Sequence, residues 1–111
     1  MSTAATFKQD VIDYLIANGA KPFSEELRRL LYDYALPTTL GELWVTPHDD
    51  RIVCRWGNVK KALAAGLEVN PYTGEWNFHL STYQCRNAPT AALFLFQAEL
   101  SEFLPNATAP A

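Results

Sequence analysis

The sequence predicts a two-layer α+β domain, with about four mainly antiparallel strands carrying helices on one face. Three observations lead there. Apolar residues recur at helical spacing toward both ends of the chain, the period shortens to alternation from Leu40 onward, and clusters of turn residues separate the alternating runs. In order, the elements read α-α-β-β-α-β-β-α.

The first helix is expected over about 7–18. Thr6 and Gln9 have the spacing of a capping box, Phe7, Val11, Tyr14 and Leu15 make one apolar stripe, and Asn18-Gly19 tolerates the left-handed turn that closes a helix. Lys21-Pro22 then breaks the chain. Ser24 can cap a second helix, Glu25 and Glu26 suit its positive end, and Leu27, Leu30, Leu31 and Tyr34 form its stripe. Pro37 is expected to end it near Leu36.

Glu42 to Thr46 and Arg51 to Trp56 read as a hairpin around Pro47-His48-Asp49-Asp50. Asn58 can cap a short helix from Val59 to Ala65, closed by Gly66. Leu67 to Asn70 and Glu75 to Thr82 read as a second hairpin around Asn70-Pro71-Tyr72-Thr73-Gly74. The stretch from Gly57 to Gly66 is short for a parallel crossover, which favours antiparallel pairing. In the last helix Asn87 is the expected cap and Pro89 fits the first turn. Leu93, Phe96, Leu100, Phe103 and Leu104 share one face, and Pro105 ends the element.

The chain has 111 residues, 49% of them hydrophobic, and a formal charge of -3. That suits one domain over 1–111 with a short flexible tail at 106–111. No run approaches the ~20 apolar residues of a membrane span. Residues 1–6 lack a basic and apolar leader. The two cysteines make neither a disulfide framework nor a C-x-x-C pair. The expectation is a soluble cytoplasmic protein with no membrane partner. The acidic balance, with Arg28-Arg29 and Lys60-Lys61 as isolated basic pairs, disfavours nucleic acid.

His48, Cys54, His79 and Cys85 supply metal-ligand types, but not at finger or knuckle spacing, and Cys54 and His79 should face opposite sides of the sheet. No metal and no cofactor is therefore expected. Cys54 or Cys85 with His79 could form a nucleophilic dyad, yet no nucleophile elbow or phosphate loop accompanies them, so no catalytic residue is assigned. Alternation instead gathers Arg51, Arg55, Asn77, His79 and Tyr83 on the polar sheet face. Guanidinium forks there suit an acidic protein surface first and a nucleic-acid strand second. Phe94 and Leu95 stand off the main apolar face of the last helix, and Trp44 stands opposite Leu43 and Val45. These three are candidate interface residues. The functional expectation is a small binding or regulatory protein acting through protein–protein contacts, self-association included. The alternative is a small enzyme with His79 as acid or base, assisted by Arg55 and Tyr83. The run from Val69 to His79 resembles stretches of small bacterial and phage proteins, a likeness that implies no activity.

Overall fold

The computed structural model describes residues 2–22, 32–77 and 80–105. Along them run α1 (Phe7–Ala17), β1 (Lys21–Pro22), β2 (Tyr34–Thr38), β3 (Gly41–Pro47), β4 (Ile52–Trp56), α2 (Val59–Ala64), α3 (Thr82–Asn87) and α4 (Pro89–Ser101). The α+β class is as the sequence predicts, with one four-stranded antiparallel sheet in the order β1-β2-β3-β4.

α1 forms where helical spacing lines up Phe7, Val11, Tyr14 and Leu15, all buried. Its end is the expected one. Gly19 takes φ 90°, and the amides of Gly19 and Ala20 reach back to the carbonyls of Ile16 and Leu15. Its start differs, because Thr6 makes no side-chain cap. The Thr6 hydroxyl bonds the Asp10 carboxylate at 3.0 Å, and Gln9 donates to Asp13 at 2.8 Å. Both side chains of the expected capping box thus serve carboxylates one turn on, which are stronger acceptors than neutral groups.

Alternation along the strands sorts the sheet into two faces. Leu36 stands opposite Leu43, which stands opposite Trp56; Val45 pairs with Cys54 and Pro47 with Ile52. All of these are buried. α1 and α4 close over this inner face, and residues of α1, α2, α3 and α4 join it in one core cluster. Phe103, just past α4, meets Trp56 edge-on at 6.0 Å, while Phe96 meets Tyr14 at 6.1 Å.

Two expected elements take another form. Of the helix expected from Ser24 to Leu36, residues 24–31 lie outside the described residues, and the end is strand β2. Tyr34 and Leu36 are two apart, so a strand puts both on the inner face. Pro37 does not break the ladder. Glu42, its partner, gives its carbonyl to Gly57 on the β4 side, so Pro37 turns its nitrogen away from β3.

The second hairpin is shorter than expected. Among the described residues its arms meet at the bridge Val69↔Trp76, and a second bridge, Arg55↔Glu75, hangs residues 74–76 on the edge of β4. Ser81 then starts α3 instead of continuing a strand. The Gln84 amide donates to the Ser81 hydroxyl at 3.1 Å, and the Ser81 amide to the Gln84 side chain at 3.0 Å. This is the reciprocal capping box that Thr6 and Gln9 do not make. Asn87 accordingly closes α3, and Ala88 precedes Pro89 at the head of α4. The short helix is as expected, with Asn58 accepting from the Lys61 amide at 3.1 Å.

Candidate functional site

The outer face of the sheet is where the polar cluster is expected. There the Arg55 guanidinium lies over the Trp44 ring at 5.5 Å, and Tyr32 packs on Trp44 at 6.3 Å. Trp44 is thus half-buried in an aromatic and cationic stack on the side of the sheet away from α4. Burial and the Glu75 carboxylate, with Arg55 opposing, push the Tyr32 phenol up. Across the sheet edge Arg55 faces Glu75, and Asn77 is exposed two residues on. Glu68, Glu75, Trp76 and Asn77 help line a groove of about 490 Å³ at this edge.

Of the other expected members, Arg51 and Tyr83 lie elsewhere. Arg51 precedes β4 and pairs with Asp50 in the hairpin turn at 3.2 Å. Tyr83 sits on α3 and is 73% exposed. His79 lies outside the described residues. Tyr83 leaves the cluster because the strand expected to run through Thr82 gives way to the helix capped by Ser81. What remains around Arg55 is edged by two carboxylates, a poor receptor for an acidic ligand.

The β3–β4 turn and α3 build a second polar group. His48, Asp49, Asp50 and Arg86 line a pocket of about 380 Å³ with Ala4. Arg86 donates to Asp50 at 2.9 Å. Partial desolvation raises the Asp50 carboxyl, but the bond from Arg86 and the charges of Arg86 and Arg51 outweigh it, so the net shift is downward from 3.8. A carboxyl lowered by folding stabilises the fold above its unfolded value. That contribution is lost as pH falls below 3.8 through the lower folded value. Arg86→Gln is expected to move the Asp50 titration upward when followed by carboxyl carbon NMR, with the melting temperature at neutral pH almost unchanged, since the pair is exposed. An unmoved titration would mean that Arg51 alone holds the carboxylate.

Both cysteines are free and buried. Cys54 lies on the inner sheet face and Cys85 on the buried side of α3. Burial pushes both thiols up, away from the thiolate that nucleophilic attack needs. Among the described residues no group of three or more His, Cys, Asp and Glu side chains is placed to hold a metal ion. No helix among them is long and apolar enough to cross a membrane.

α4 carries the third surface. Its 3.6-residue period buries Ala92, Phe96 and Leu100 and turns Phe94 and Leu95 outward, 47% and 37% exposed. These two side chains and residues 87–91 line an apolar groove of about 740 Å³ at the head of the helix. Phe94 also walls a smaller groove of about 270 Å³ along the seam between α4 and α1, where Asp10 and Asp13 form the opposite side. Phe94 and Leu95 therefore share a surface, whereas Trp44 lies across the sheet from them. Sequence reasoning did not single out Asp10 and Asp13. Their spacing of three on an amphipathic helix put them on one polar edge of its stripe, which was the available signal.

Comparison with protein-family models, with curated proteins and with solved structures gives no match for this chain.

Proposed function

We propose that the protein is a binding module that receives a protein partner on the exposed face of α4. The observation that supports this reading is the pairing of Phe94 and Leu95, both turned to solvent on a helix whose other face is locked into the core, beside an apolar groove of about 740 Å³. Isolated exposed apolar residues are common, but two adjoining ones beside a concave apolar surface resemble the centre of an interface. A Phe in a desolvated pocket is also the sort of side chain that dominates binding energy.

The experiment is quantitative affinity capture from the native cell with the natural chain and with Phe94→Ala/Leu95→Ser, alongside light scattering of both. The double variant is expected to fold normally and to lose about tenfold or more of a captured partner. If both chains retain the same proteins in the same amounts, and neither changes mass with concentration, the reading is wrong.

A further inference from the structure

Resting on that reading, we infer that the α4 surface takes a basic amphipathic helix of a partner protein, with two cations one turn apart set against Asp10 and Asp13. The argument starts from the direction of the two helices. Thr90 donates to the Ser2 carbonyl at 3.0 Å, and the Tyr14 hydroxyl to the Gln97 carbonyl at 3.5 Å. The start of α1 thus lies by the start of α4, and later residues meet later residues, so the helices run side by side in the same direction. Their seam is open on the outside. It continues over Thr90 and Phe94, which line both grooves, onto the apolar shelf at the head of α4. Along α4, from Pro89 to Gln97, that surface measures about 12 Å at the rise of a helix. This is the length of about two turns of a docked helix, the span of anchors at i, i+3, i+4 and i+7 in helix-in-groove recognition.

The charge on this surface selects the occupant. Asp10 accepts hydroxyls from Ser2 at 2.7 Å and Thr6 at 3.0 Å, and Asp13 accepts the Gln9 amide at 2.8 Å. These neutral donors fix the carboxylates in place without cancelling their charge. The ion pairs among the described residues involve neither of them. Among the described residues no Lys or Arg lines either groove. Three residues apart on a helix, the two carboxylates present charges about 5–6 Å apart at Cβ, which cations at i and i+3 or i+4 of an opposing helix match. A second copy docking through this same α1–α4 surface fits less well, because α4 contains no Lys or Arg and α1 only Lys8.

The test uses two labelled model peptides about 14 residues long, one built of Leu and Lys and the other of Leu and Glu in the same pattern, titrated by fluorescence anisotropy at about 50 mM salt, where screening is modest. The Leu/Lys peptide is expected to bind at least about tenfold more tightly. Asp10→Asn/Asp13→Asn should weaken it about fivefold and flatten its salt dependence. Glu68→Gln/Glu75→Gln removes the same number of charges at the sheet edge and should leave binding unchanged. Equal affinity for the two peptides, or an aspartate effect no larger than that of the glutamate control, overturns the inference and leaves the apolar docking face standing. Binding that survives Phe94→Ala/Leu95→Ser overturns both. Concentration-dependent dimerisation lost in that variant, with no peptide binding, identifies a second copy as the occupant and also overturns the inference.

Discussion

Gly74→Ala is expected to destabilise the protein by about 3 kcal/mol, the larger part of it from a backbone collision. Gly74 holds φ +80°, where an L residue costs about 1–2 kcal/mol. A Cβ there would also stand 2.7 Å from the Trp56 carbonyl oxygen, 3.2 Å from Val59 Cγ2 and 3.3 Å from Arg55 Cγ. The carbonyl cannot yield cheaply, because the same stretch is pinned: the Trp56 amide donates to the Gly74 carbonyl at 2.8 Å and the Trp76 amide to the Cys54 carbonyl at 3.0 Å. Gly66 is the control. It has φ +83° but open space at its Cβ, so Gly66→Ala should cost only about 1 kcal/mol. Urea midpoints of the two variants measure the difference directly. Equal losses would show that the approach of residues 74–76 to β4 is not a constraint.

Phe96→Ala should cost about 4 kcal/mol, while Phe94→Ala, two residues away on the same helix, should cost less than about 1 kcal/mol. Phe96 is fully buried, packs edge-on against Tyr14 and belongs to the core that joins α4 to the sheet. Its removal leaves a cavity between two helices and the strands beneath them, a large fraction of the roughly 5–15 kcal/mol that stabilises such a domain. Phe94 points outward and leaves no cavity. Thermal melts of the two variants should separate by more than about 10 °C. Comparable losses would show that Phe94 serves the fold, and would remove the basis for reading the α4 face as a docking surface.

Where local chemistry and tertiary contacts agree, the sequence was informative. α1, the β3–β4 hairpin, α2 with its Asn58 cap and the Asn70–Gly74 turn all lie where short-range signals put them. In that turn the Asn70 side chain accepts the amides of Tyr72 at 2.8 Å and Thr73 at 3.1 Å, and Tyr72 stands 93% exposed at its tip. Tyr34–Thr38 was ambiguous, since Tyr34 and Leu36 suit a strand as well as Leu31 and Tyr34 suit a helix. Only the partner strand decides, and pairing across the loop at 39–40 does so. Ser81 and Gln84 carried a legible capping signal that the alternation of Trp76, Asn77 and Phe78 concealed. That substitution of helix for strand took Tyr83 out of the expected polar cluster, because face assignments carry over only as far as the strand persists. The exposure of Phe94 and Leu95 was legible from helical period alone, whereas the juxtaposition of Phe94 with Asp10 and Asp13 depends on α1 lying beside α4, a contact across more than eighty residues of chain.

The same long-range contact sets a schedule for synthesis. The sheet is a meander in which each strand pairs with the one just made, so α1 can settle on β3 early. Its second cover, α4, comes last among the described helices. At about 5–20 residues per second, translation from residue 17 to residue 101 takes on the order of 10 s. Through that interval the nascent chain presents the Tyr14 side of its first helix without Phe96 against it. The inner side of α1 is therefore closed only once Pro89–Ser101 is free to pack, and the core completes through one of its most distant contacts in sequence.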